Sequence, residues 1–123
     1  MLRYAAIDIG SNAVRLLIAD ISKDDEGFKF KKNTLIRVPL RLGDDAFLNH
    51  KISDRKVGDL LKTMSAFKNL MDVYGVTKYL ACATSAMREA ENGEEIIKRV
   101  KDEADVVLEI IDCLLYTSPS PRD

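Results

Sequence analysis

The residues best suited to chemistry in this chain cluster near its amino terminus, in Asp8-Ile9-Gly10-Ser11-Asn12 followed by Arg15. A glycine between two strand-like runs lets the backbone bend sharply and turns N–H groups outward, while Ser11 and Asn12 add side-chain donors. Such a concavity suits a phosphate-like anion. A carboxylate cannot itself attract that anion, so Asp8 makes chemical sense there if a Mg²⁺ stands between the two, held directly or through water. Arg15 adds a planar, permanently charged fork matched to a pair of phosphate oxygens. The same residues also read as an ordinary hairpin: Gly10-Ser11-Asn12 the turn, Asp8 its local hydrogen-bonding partner, Arg15 an exposed strand residue.

A second cluster lies much further along. Thr84-Ser85-Ala86-Met87-Arg88 follows the short apolar run Lys78 to Ala83, and open α/β sheets place ligand-binding loops outside the carboxyl ends of such strands. Two hydroxyls and an arginine at that position can meet the first bend. Taken alone, Thr84 and Ser85 also read as helix-entry residues and Arg88 as a solvated charge. Arg41-Leu42-Gly43, a strand end ahead of Asp44 and Asp45, needs no function.

The elements that position these clusters follow from periodicity. Tyr4 to Ile9 is a short β-prone run, and Ala13 to Ile21 resumes a strand in which Val14, Leu16 and Ile18 alternate with Arg15, Leu17 and Ala19. Ser22 to Gly27 is a polar loop, and Phe28 to Leu42 alternates as a third antiparallel strand. From Ser53, an N-cap, the residues Val57, Leu60, Leu61, Met64, Phe67, Met71 and Tyr74 recur at spacings of three and four, and Gly75 stops this amphipathic helix. Lys78 to Ala83 is a strand and Thr84 to Ala90 a polar junction. Asn92 and Glu95 form a capping box for a second helix with Ile96, Ile97, Val100 and Ala104 on its apolar face. Glu94 with Lys98 and Glu95 with Arg99 stand at the supportive four-residue spacing. Asp105 to Ile111 reads as a last strand. The order predicts a mixed α/β sheet that begins with three antiparallel strands and continues helix, strand, helix, strand through right-handed crossovers.

Composition narrows the function classes. The chain has 123 residues, 46% hydrophobic and 32% charged, the balance of a globular protein. Nineteen Lys and Arg against twenty Asp and Glu give a net charge of -1, so no overall basic field points to nucleic acid or a membrane surface, and an anion grip must be local. Neither a signal-peptide pattern nor a membrane-length apolar run is present, and a cytoplasmic location is expected. Two cysteines, Cys82 and Cys113, with the single His50 supply neither a disulfide framework nor a zinc site. Cys82 reads as a small buried hydrophobe. The end, Cys113 to Asp123, carries Ser-Pro-Ser-Pro, breaks the pattern and reads as a non-native tail.

Asp8-Ile9-Gly10-Ser11-Asn12-Ala13-Val14-Arg15-Leu16-Leu17-Ile18, Arg41-Leu42-Gly43 and Ala83 to Asn92, in this order and at these separations, resemble the exopolyphosphatase and guanosine pentaphosphate phosphatase family over residues 1 to 112. The resemblance implies an actin-like ATPase, ribonuclease H-like lobe, here the partial N-terminal one, in an enzyme whose site lies between two lobes. It implies Mg²⁺-dependent release of terminal phosphate from inorganic polyphosphate or guanosine pentaphosphate, in a parent that is a homodimer. By motif position Asp8 resembles the carboxylate near the metal, Gly10, Ser11, Asn12, Arg15, Thr84 and Ser85 resemble phosphate contacts, and Arg88 resembles the arginine reaching into the cleft. The resemblance places the family's general-base glutamate in a turn after a strand like Val106 to Ile111, and that residue has no counterpart here. Glu109 comes too early to replace it, so the truncated chain is expected to be inactive. The other readings are a phosphotransfer kinase of the same actin-like superfamily and a non-catalytic phosphate-binding module.

Overall fold

The computed structural model describes residues 2–110. The expected tail at 113–123 and Cys113 lie outside them. The first strand, β1 (Leu2–Ile9), buries Ala5, Ile7 and Ile9 on one face, as a period of two requires. It pairs antiparallel with β2 (Val14–Asp24) from Leu2↔Ile21 to Ile9↔Val14. β2 runs three residues beyond the expected Ile21. The extension arises because Asp24 accepts the Glu26 N–H at 2.8 Å and Gly27 takes a φ of 119°, which together close a tight hairpin.

β3 (Gly27–Val38) pairs antiparallel with β2, with a register shift between Ile18 and Ala19. It ends four residues short of the expected Leu42. Pro39 has no N–H to give a ladder, and Arg41 then adopts the left-handed conformation. The chain enters a helix the sequence did not suggest, α1 (Leu42–Asn49), which buries Leu42, Gly43 and Ala46.

The long helix α2 (Asp54–Tyr74) is as its spacing predicts. The Ser53 hydroxyl accepts the Lys56 N–H at 3.4 Å, Gly75 closes the helix at φ 72°, and Val57, Leu60, Leu61, Met64, Phe67 and Met71 are buried. Each such side chain contributes about 1.5–3 kcal/mol of burial as an upper estimate, so packing rather than propensity holds this helix. Gly58 lies in its interior, and a Cβ added there would meet no atom within 4 Å. Gly58→Ala is expected to raise stability by about 0.5–1 kcal/mol, read as a higher urea midpoint with an unchanged slope.

β4 (Lys78–Ala83) lies parallel to β1, and the two-residue β5 (Glu109–Ile110) parallel to β4, giving the order β3-β2-β1-β4-β5. Of the expected last strand, Asp105 to Ile111, only Glu109–Ile110 is laddered among the described residues, and Ile111 lies outside them. Asp105 is left-handed and closes a π-helical turn (Val100–Ala104), and residues 106–108 approach the sheet without a ladder, although Val106 and Leu108 are buried. The expected junction at Thr84–Ala90 contains a short helix, α3 (Ser85–Glu89), followed by α4 (Gly93–Arg99).

The expected capping box does not form. The Asn92 side chain instead brackets Ile52, accepting its N–H at 3.1 Å and donating to its carbonyl at 3.0 Å. This clip stitches the entry of α2 to the entry of α4, and Ile52 is fully buried, so both of its backbone groups need that partner. Arg99 pairs with Glu103 at 2.8 Å rather than with Glu95, and among the described residues Glu94 and Lys98 form no ion pair.

The inward residues of β1, β2 and β4 join those of the helices in one core. The opposite face of the sheet carries Leu2, Phe28, Phe30, Leu35 and Leu80, all exposed, as register dictates from Leu2↔Ile21↔Phe30 and Leu80↔Ala6↔Leu17↔Leu35.

Candidate phosphate-binding bend

The connection from β1 to β2 is built by neighbours on both sides. Within it, the Gly10 N–H donates to the Ala13 carbonyl at 3.0 Å, and a Cβ on Gly10 would stand 3.2 Å from that oxygen. Glycine serves here through close approach, because its φ is not in the left-handed region. The Gly10 N–H is therefore spent inside the turn. Among the described residues the N–H groups of Ser11 and Asn12 meet no acceptor, although each lies at least partly at the surface.

The carbonyls of those two residues are tied to α1. Gly43 N–H donates to the Ser11 carbonyl at 2.8 Å and Arg41 N–H to the Asn12 carbonyl at 3.0 Å. Arg41 holds its left-handed conformation, φ 57°, because its own carbonyl accepts Lys56 Nζ at 2.8 Å and its Nε reaches Asp44 at 3.0 Å. Lys56 is in turn fixed by Asp45 at 3.3 Å. The Ser53 N–H bonded to Asp45 at 2.9 Å, with the Ser53 hydroxyl and Lys56 adding to it, holds that carboxyl below the usual range. The Arg41-Leu42-Gly43 stretch, one of the three motifs of the resemblance but locally readable only as a strand end, is thus the buttress of the bend. A glycine at the second position of a helix, where nothing else needs it, was the available signal.

From the other side, β4 delivers Thr84 beside the end of β1, where its N–H donates to the Ile9 carbonyl at 3.3 Å. The hydroxyl of Ser85 then stands 3.3 Å from that of Ser11. Thr84 occupies the N-cap position of α3 without a side-chain capping bond. Ser85 and Arg88, three apart on α3, share a helix face, and Arg88 is exposed. The two clusters that stood 74 residues apart in sequence therefore meet through Ser11 and Ser85.

Asp8 and Arg15 face each other across β1 and β2, on the side of the sheet away from the helices. Their charged atoms are 3.8 Å apart with both side chains substantially exposed, which is contact without a hydrogen bond. Cys82 is Asp8's neighbour on β4. Burial pushes its thiol up, with Glu109 and Asp8 adding to the effect, so it behaves as the small hydrophobe expected.

Among the described residues no cluster of three or more His, Cys, Asp or Glu could cage a metal ion. The lone, substantially exposed carboxylate of Asp8 has the chemistry of a Mg²⁺ ligand, since that ion keeps several waters and is bound by one or two carboxylates plus substrate phosphates rather than by an all-protein cage.

A family model described as the Ppx/GppA phosphatase family matches residues 21–113. The chain belongs to that family. It is 36% identical over 110 residues to a bifunctional 3-dehydroquinate synthase/phosphatase of Fusobacterium nucleatum, covering 87% of this chain and 17% of that protein. It is 31% identical over 110 residues to exopolyphosphatase 1 of Mycobacterium tuberculosis, covering 89% and 31%. The crystal structure of the Aquifex aeolicus Ppx/GppA family member superposes with a TM-score of 0.84 at 33% identity, over 91% of this chain and 35% of that one. The sheet order and these relatives place the Ppx/GppA chain in the actin-like ATPase fold. It spans about a third or less of each relative's length. No described helix is long and apolar enough to cross a membrane.

Proposed function

We propose that the full protein is a hydrolase releasing terminal phosphate from inorganic polyphosphate or guanosine pentaphosphate, and that this chain supplies the surface gripping that phosphate. The observation that carries this reading is the pair of acceptor-free N–H groups at Ser11 and Asn12, on a bend clamped by the starts of α1 and α3 and flanked by Asp8 and Arg15. Fixed donors aimed at a developing charge stabilise a transition state without reorganising, which is the usual main contribution in phosphoryl transfer.

In this reading the bend orients the terminal phosphate, the hydroxyls of Ser11, Thr84 and Ser85 add donors, and Arg15 and Arg88 offset its charge. Asp8 holds Mg²⁺, which supplies charge neutralisation at the phosphate oxygens when bound. Activation of water is the task of a glutamate that residues 1–112 do not provide. A positioned base typically contributes ~10²- to 10⁴-fold in rate.

Two results are expected from the 123-residue chain. With Mg²⁺, tripolyphosphate shifts the amide resonances of Ser11 and Asn12 first among all backbone signals. Phosphate release from long-chain polyphosphate stays at the rate without protein. Unmoved Ser11 and Asn12 amides at saturating tripolyphosphate would overturn the proposed grip, and clear turnover would overturn the role given to the missing glutamate.

A further inference from the structure

At the level of Asp8, one row of side chains crosses the whole sheet on the face away from the helices. Register sets Arg37 opposite Arg15, Arg15 opposite Asp8, Asp8 opposite Cys82 and Cys82 opposite Glu109. The row is polarised, with both guanidiniums on the β3 side and both carboxylates from β1 outward.

The arginine pair is the unexplained part. Like charges directly opposite on neighbouring strands destabilise a sheet, and Arg15 and Arg37 are such a pair, both exposed. Asp8 offsets them only through its 3.8 Å contact with Arg15, and among the described residues Arg37 has no ion pair. The sheet itself does not require two cations there. Two residues along each strand, the same face carries the neutral row Leu35, Leu17, Ala6 and Leu80. The polarised row lies one residue pair before the bend, since Ile9↔Val14 is the last rung of the β1–β2 ladder. Arg37 stands two strand spacings from Asp8, about 10 Å. One phosphate cannot bridge that distance, whereas a linear chain of them can.

We infer that Arg37, one strand outward from the Arg15 that faces the terminal phosphate, forms a subsite for the inner phosphates of a linear polyphosphate whose end group sits in the Gly10–Asn12 bend. This rests on the proposed function and narrows its substrate to an extended polyanion. The terminal phosphate is held by the bend, and the phosphates behind it run outward across β2 to the sheet edge at β3. Affinity then grows with chain length until Arg37 is reached.

Calorimetric titration of the 123-residue chain with orthophosphate and with long-chain polyphosphate tests it. Arg37→Gln is expected to weaken long-chain binding about tenfold, the worth of one charge-assisted contact, while leaving orthophosphate binding unchanged. Arg37→Lys should recover part of the loss, because it restores the charge without the fork. Lys62→Gln, an exposed cation on α2, should change neither. The urea midpoint of Arg37→Gln should equal or exceed that of the unsubstituted chain, because the substitution removes a like-charge pair. A purely structural role for Arg37 would lower it.

Equal long-chain affinity in Arg37→Gln and the unsubstituted chain would overturn the subsite and leave the bend untouched. So would a proportional loss for both ligands, which marks a general field instead of a local contact. Failure of the unsubstituted chain to bind either ligand would remove the proposed function and the subsite with it.

Discussion

Gly43→Ala is expected to weaken tripolyphosphate binding at the bend by at least about tenfold. The added Cβ would stand 2.8 Å from Ser11 Cβ and 3.2 Å from both the Ser11 carbonyl oxygen and Phe47 Cε2. Phe47 is half exposed and can swing aside. Ser11 cannot, because its carbonyl is held by the Gly43 N–H at 2.8 Å and its hydroxyl adjoins Ser85. Relief of the clash therefore moves the bend, and with it the Ser11 and Asn12 N–H groups. Binding constellations tolerate about 0.5 Å of displacement, and a shift of about 1 Å can reduce rates ~10²-fold. Calorimetry with tripolyphosphate reads the effect, with Gly58→Ala as the matched substitution that meets no neighbour. Affinity retained in Gly43→Ala would show that α1 does not set the geometry of the bend.

The largest loss of stability is expected at Gly93. A Cβ there would overlap the Met87 carbonyl oxygen, a backbone atom in α3 with no freedom to rotate away. Met87 is itself 1% exposed, so α3 cannot yield without opening the core beneath it. Overpacking typically costs about 1–3 kcal/mol, and a backbone collision belongs at or above the top of that range. Domains of this size have about 5–15 kcal/mol in all. Gly93→Ala should therefore lower the urea midpoint steeply, and, because Thr84 and Ser85 ride on the displaced helix, weaken anion binding as well. A midpoint within experimental error of the unsubstituted chain would mean that α3 and α4 can separate freely, contrary to the close packing at this junction.

Much of the fold is legible where a single period dominates. β1, β2 and β4 follow from alternation, and α2 follows from apolar spacing between Ser53 and Gly75. The parts that escape sequence reading are short and sustained by contacts distant in the chain. α1 begins on a left-handed Arg41 and has Gly43 at its second position, features that argue against a helix by local propensity. It forms because Leu42 and Ala46 join the buried core and the N–H groups of Arg41 and Gly43 at its start find the Asn12 and Ser11 carbonyls. α3, five residues long, exists for a similar reason. Asn92 has the sequence of a helix cap, yet its amide is better satisfied by both polar groups of Ile52, since a buried backbone pair left open would cost more than an exposed helix end.

Residue order alone carries the family motifs, the strand and helix periods, and the residue types near Gly10 and Ser85 that could hold an anion. Tertiary structure alone decided that Ser11 touches Ser85, that Gly43 lies under the bend, that the Gly10 N–H is turned inward while those of Ser11 and Asn12 are left open, and that Arg37 stands beside Arg15. The division has a physical cause. Burial periodicity is written into neighbouring residues, whereas the partner of a given N–H or guanidinium is chosen by strand register and helix docking between segments that the chain does not place side by side.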